Sequence, residues 1–345
     1  MITVGGVNGL GFTLFRIPVR VQLWFVALVV LLGAGWGFRD PASLFVFAGI
    51  VFVSVLAHEL GHAFMGRVFG LQPAITLHGL GGLTSWVGGR AVGPGRSLLI
   101  SLAGPFVGLM LGSGLYAIHH FVPAIDAAPV LARNLFYAAM LVNLLWSVFN
   151  LLPVIPLDGG NALRSFWALT KLGDAEIVAR VVSVPVALLI AAWFGVQQQF
   201  FMVLLMLLYV GQNVQGIRVR LLVRGDEGTQ KRLMENYPRW LANGDGESMV
   251  REGTRARAAA KTPHLVAYAT EVVAMGQCLQ GDARSALATL NAMPRGFAPS
   301  LDVALHVLDA AGEHATALEL LRRAAESSKD PELLRRLEEA RARMP

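Results

Sequence analysis

Residues 44–69, LFVFAGIVFVSVLAHELGHAFMGRVF, form an apolar run broken by His58, Glu59 and His62, with Arg67 near its end. The run exceeds the roughly 20 residues that carry a helix across a bilayer, so it predicts a membrane-spanning helix. On a helix, residues four apart share a face, and the imidazoles of His58 and His62 can then reach one ion. Glu59 is offset around the helix, where it can contact a water at that ion without replacing it. The alternative is that His58 and Glu59 only hydrogen-bond each other within a bundle. The cost of ionisable groups at membrane depth weighs against that, since such groups are by default functional.

The surroundings of this helix are equally apolar. The chain has 345 residues, 54% of them hydrophobic and 15% charged, where soluble domains carry about 25% charged residues. Mean hydropathy is +0.55. Charges are sparse up to about Val219 and return from about Arg220, which predicts a transmembrane domain over 1–220 and a soluble one over 221–345. Six candidate spans follow: 21–38, 44–69, 97–119, 134–152, 177–196 and 200–216. The first lies behind Arg16 and Arg20, and Gly33-Ala34-Gly35 could serve as a signal-peptide cleavage site. The charge pattern favours a retained anchor instead.

Arg16 and Arg20, then Arg67, Arg90 and Arg96, then Arg164, Lys171 and Arg180, then Arg218, Arg220 and Arg224 occupy alternate connections. The opposite connections hold only Arg39 and Arg133. Positive charge collects on the cytoplasmic side, so six spans with both termini cytoplasmic satisfy the rule. The net charge of +6 then reads as orientation. No basic stripe interleaved with aromatics supports nucleic-acid binding. A single cysteine, Cys278, excludes an internal disulfide framework and a cysteine-based zinc cluster.

A catalytic zinc usually takes three protein ligands and keeps one position for water. The candidate third ligand is Asp158, in Asn150-Leu151-Leu152-Pro153-Val154-Ile155-Pro156-Leu157-Asp158-Gly159-Gly160. Two prolines break a helix here and free backbone groups that need a cavity or packed protein. On the residues alone, Asp158 is either that ligand or a solvated carboxylate at a loop end.

Together, His58-Glu59-Leu60-Gly61-His62 and Asn150-x-x-Pro153-x-x-x-Leu157-Asp158-Gly159 resemble the two signatures of the site-2 protease family of intramembrane zinc metalloproteases, peptidase family M50. The resemblance covers roughly residues 21–160 well and the next two spans loosely. It implies His58, His62 and Asp158 as ligands of Zn2+, Glu59 as general base, and Asn150 as a group that positions or polarises the substrate. Ala74 to Trp86 resembles the family's re-entrant β-hairpin, whose edge could pair with an unwound substrate strand; an ordinary cytosolic loop is the alternative. His78 within it reads as structural. Ser101-Leu102-Ala103-Gly104-Pro105 resembles the family's small-residue packing motif. The interval between Glu59 and Asp158 holds no PDZ domain, and no pattern of a CBS domain follows, so the resemblance is to the compact branch.

The tail is rich in Ala, Leu, Arg and Glu and predicts an all-α domain. Gly281-Asp282-Ala283-Arg284-Ser285-Ala286-Leu287 aligns with Gly312-Glu313-His314-Ala315-Thr316-Ala317-Leu318 at a period near that of tetratricopeptide repeats. Such a domain would offer a surface for a protein partner, or only cap the membrane domain. His264, His306 and His314 are scattered along it and read as ordinary packing or surface residues.

The expected fold is therefore a polytopic helical membrane protein with about six transmembrane helices, a re-entrant β-hairpin and a helical, tetratricopeptide-like tail. The resemblance implies a metalloendopeptidase of a bacterial inner membrane that cuts single-span membrane proteins within the bilayer. Its substrate would be an anti-sigma factor or a tethered transcription regulator. Clearance of remnant signal peptides, or a non-catalytic zinc-binding scaffold, are the alternatives.

Overall fold

The computed structural model describes residues 9–35, 38, 40–79, 81–88, 92–328 and 331–342. Trp36 and Gly37 of the expected first span, Leu80 of the expected hairpin, and Arg39 and Arg90 of the orientation pattern lie outside the described residues. The chain divides into two units, Met1–Ile217 and Arg218–Pro345.

Two hairpins build the sheet of the first unit. Strands β1 (Gly9–Leu14) and β2 (Ile17–Gln22) are antiparallel. They are joined through Phe15 and Arg16, both at positive φ, 49° and 61°, a turn whose twist matches that of the strands it joins. Strands β3 (Gln72–His78) and β4 (Gly81–Val87) form the second hairpin. β2 and β3 pair in parallel, with Val19 opposite Ile75 and Val21 opposite Leu77, giving the order β1-β2-β3-β4. Ile17, Val19, Ile75 and Leu77 fill one face of this sheet, because alternate residues of a strand share a face. They join Phe25, Val29, Phe47, Val51 and Val55 in a single apolar core.

Phe25 and Val29 come from helix α1 (Leu23–Gly35), the others from α2 (Pro41–Val68). Asp40 caps α2, accepting from the Ser43 N–H at 2.9 Å, with Pro41 at the first helical position. Then come α3 (Pro94–Phe121), α4 (Val130–Asn150), α5 (Asp158–Thr170), α6 (Ala175–Val196) and α7 (Phe200–Ala242). Among the described residues five helices, α2, α3, α4, α6 and α7, are long and apolar enough to span a membrane. The first expected span differs from the sequence reading. Val21 and Gln22 belong to β2, and the 13 residues of α1 measure only about 20 Å at 1.5 Å per residue. The helix of the sixth expected span, α7, does not stop at residue 216 but runs on to Ala242.

Side chains on the outer faces of these helices are large and apolar. Phe45 is 80% exposed, Phe121 78% and Val196 81%. In water such faces would drive association; against lipid tails they are simply solvated.

The described elements of the second unit are all helices. After α7 come α8 (Gly246–Ala259), α9 (Pro263–Leu279), α10 (Ala283–Asn291), α11 (Leu301–Ala310), α12 (His314–Ser328) and α13 (Pro331–Ala342). Met249, Val272, Met275, Leu290 and Val307 form one core, and Leu305, Leu321 and Leu337 centre another. Both aligned tail segments open on a left-handed glycine, Gly281 at φ 81° and Gly312 at φ 79°, just before α10 and α12. A positive φ is cheap only for glycine, which explains why the two segments share one at this place.

Candidate metal centre

His58, Glu59 and His62 lie on the buried stripe of α2, in the C-terminal half of the helix, where they are 2%, 4% and 6% exposed. The helical period brings the two Nε2 atoms to 3.3 Å. Asp158, the first residue of α5, reaches the same point, its Oδ2 lying 3.0 Å from His58 Nε2 and 3.2 Å from His62 Nε2. It is therefore not a free loop-end carboxylate: Asp158 converges with both histidines.

The donor set fits a zinc ion. Tetrahedral zinc with bonds of about 2.0–2.1 Å holds its ligand atoms roughly 3.3 Å apart, close to the spacing of these two nitrogens and one oxygen. His62 Nδ1 donates to the Ile100 carbonyl at 2.7 Å, which leaves Nε2 as the lone-pair nitrogen. His58 Nδ1 is buried with no hydrogen-bond partner. Gly104 of α3 faces both rings; a Cβ there would stand 2.8 Å from His58 Nε2 and collide outright with His62 Nε2. The absence of a side chain at position 104 thus keeps the space in front of the donors open.

Glu59 points elsewhere. Its Oε2 accepts a 2.7 Å hydrogen bond from the Thr84 hydroxyl on β4, and a Cβ at Gly82 would come within 2.6 Å of its Cδ. The carboxylate is held beside the two imidazoles by the strand that ends the sheet, while Asp158 meets both nitrogens. Glu59 also lies within 4.8 Å of the histidine donors.

Asp158 owes its place to the Pro-Gly break. Gly160 packs with Ile155 and Val154, and Gly159 with the carbonyls of Leu151 and Leu152, so tightly that neither tolerates a Cβ. Asn150 sits in the last turn of α4, 9% exposed, with its Nδ2 donating to the Trp146 carbonyl at 2.9 Å. His78 ends β3 opposite Gly81, and among the described residues the histidines of the metal-capable group are His58 and His62.

Sequence reasoning missed Thr84, Gly82 and Gly104 as neighbours of the site. The small-residue motif Ser101 to Pro105, read as packing alone, also contributes the surface against which both imidazoles rest. A run of Gly and Thr in an otherwise apolar hairpin was the available signal.

Comparison with known proteins points the same way. A model of peptidase family M50 matches residues 113–192. A protein of Synechocystis sp. described as a zinc metalloprotease is 34% identical over 171 residues, 46% of this chain and 44% of that one. A zinc metalloprotease of Methanocaldococcus jannaschii is 30% identical over 210 residues, 58% and 57% of the respective chains. A protein of Mycobacterium tuberculosis described as a zinc metalloprotease is 36% identical over 120 residues, covering 34% and 30%. The chain spans about half the length of the first two relatives it matches. The solved site-2 protease from Methanocaldococcus jannaschii matches at a TM-score of 0.45 and 23% identity, over 61% of this chain and 95% of that one; a likeness that loose carries no weight here.

With its five long apolar helices the chain is a multi-pass membrane protein. The matched segment 113–192 carries Asn150 and Asp158, and the helix that meets it carries His58 and His62, so over this segment likeness to peptidase family M50 and the geometry of the site converge.

Proposed function

We propose that this protein is an intramembrane zinc metalloendopeptidase that hydrolyses peptide bonds within or beside the transmembrane segment of single-span membrane proteins. The observation that carries the reading is the meeting of His58 Nε2, His62 Nε2 and Asp158 Oδ2 within 3.0–3.3 Å of one another, inside a bundle of apolar helices and next to a buried carboxylate. His58, His62 and Asp158 hold the ion, and Zn2+ supplies Lewis acidity and makes water nucleophilic near neutral pH.

The chain's own residues do the rest. Glu59 takes the proton of the attacking water and returns it to the leaving amide nitrogen. Asn150 turns its amide from the Trp146 carbonyl to the oxygen of the scissile carbonyl. A helical peptide bond is shielded, so the substrate unwinds before attack. β4, the last strand of the sheet and the one that holds Glu59, offers an edge on which the unwound segment regains main-chain hydrogen bonds.

Both termini are cytoplasmic in this reading, which counts α1, short as it is, as a sixth crossing paired with α2, in a bacterial inner membrane. The substrate is an anti-sigma factor or a membrane-tethered transcription regulator, and the helical second unit binds a protein partner. The test compares membrane proteomes of cells carrying the native chain or Glu59→Gln. Single-span regulators should accumulate in the mutant while its zinc content stays unchanged. Accumulation of signal-peptide remnants alone would assign the protein to clearance, and identical proteomes would leave a zinc-binding scaffold.

A further inference from the structure

Residues 151–157 carry the chain from α4 to α5 without regular hydrogen bonding, and Pro153 and Pro156 have no N–H to give. In this stretch Ile155 is bound at both backbone groups by side chains from other helices. Its N–H donates to Ser183 Oγ of α6 at 2.9 Å, and its carbonyl accepts from Asn213 Nδ2 of α7 at 2.7 Å. Both side chains are wholly buried, so water does not compete for either bond.

Each of the two is also locked by its own helix. The Ser183 hydroxyl donates to the Ala179 carbonyl at 2.7 Å, which turns a lone pair toward Ile155. Asn213 spends its other amide hydrogen on the Tyr209 carbonyl at 2.8 Å. The clamp is thus aimed before the break arrives. Ile155 lies three residues before Asp158, and the Gly159 and Gly160 contacts leave no slack between residues 151–155 and the start of α5. A shift of Ile155 is therefore passed to Asp158.

We propose that Ser183 and Asn213 are positioning residues for the metal centre: they fix Ile155 and thereby hold Asp158 in register with His58 and His62. α6 and α7 contribute no donor to the group on α2, yet in this arrangement they set its metal affinity. The inference rests on the reading of Asp158 as the third ligand.

The test measures zinc affinity of the full chain in detergent by competition with a chromogenic chelator. Native protein is compared with Ser183→Ala, Asn213→Leu, Asp158→Ala and the doubles that combine Asp158→Ala with each of the other two. Ser183→Ala and Asn213→Leu should each weaken zinc binding about 10–100-fold, the usual cost of losing an outer support of a ligand. Ser183→Thr, which keeps the hydroxyl, should restore it. In the Asp158→Ala background neither substitution should weaken binding further, because a coupled pair is non-additive. Equal weakening with and without Asp158 would mean general loosening and would overturn the inference, as would native affinity in both single variants. If Asp158→Ala itself binds zinc as the native chain does, the ligand assignment fails first, and the two failures are told apart by that one measurement. Should Asn213→Leu not fold, Ser183→Ala, which removes a single oxygen, decides alone.

Discussion

The hydroxyl of Thr84 donates to Oε2 of Glu59 at 2.7 Å and lies 3.2 Å from the Glu59 carbonyl, tying β4 to the helix that bears His58 and His62. One side chain therefore touches both the proposed base and the backbone that presents it.

Removing that hydroxyl should cost catalysis and spare the metal. A hydrogen bond to a charged group contributes about 1.5–3 kcal/mol, so Thr84→Val should lower kcat on a membrane-embedded substrate roughly 10–100-fold. Thr84→Ser should keep most of the activity. Zinc per chain, measured by elemental analysis, should be the same in all three proteins.

Gly104→Ala makes the opposite separation. Its new Cβ enters the space in front of both Nε2 atoms, so zinc binding should weaken roughly 10-fold or more, in the range seen when ligand supports are disturbed. Full zinc occupancy at native affinity in this variant would contradict the crowding argument.

Gly82→Ala pushes on the base alone. A Cβ there meets Glu59 Cδ at 2.6 Å, and a misplacement of about 1 Å can cost on the order of 100-fold in rate. Turnover should collapse while chelator competition reports unchanged zinc affinity.

Zinc removal should lower stability through linkage. An ion that binds only the folded chain adds about 2.7 kcal/mol at 100 times its Kd. The thermal unfolding midpoint should therefore fall when a strong chelator is added and recover with excess zinc. Asp158→Ala should shrink that zinc-dependent difference.

Much of this was legible in the sequence, for physical reasons. The i, i+4 histidines lie on one helix face wherever the helix goes, and the hydrophobic run secures the helix. Asp158 was legible only through the Pro-Gly break and family likeness, because nothing in a linear sequence says that α5 turns back to α2. The β1–β2 hairpin was not read at all. Leu10, Phe12 and Leu14 alternate as a strand should, but the turn consists of Phe15 and Arg16 and lacks the Gly or Asn that usually marks positive φ. Ser183 and Asn213 were invisible for another reason: small polar residues within spans normally signal helix packing, and only the structure shows them bonded to Ile155.

The parallel pairing of β2 with β3 constrains how the protein is made. The partner strands, Val19 beside Ile75, emerge from the ribosome on either side of α1 and α2, so the first hairpin must wait, half-paired, until both helices have been placed. It also requires both hairpins to end on one side of the membrane, so the two helices return the chain to where it started. A leader peptidase cutting after Gly35 would carry away β1 and β2 and strip the sheet to the single hairpin that grips Glu59. The N-terminal strands thus join the rest of the sheet only through a strand made after them.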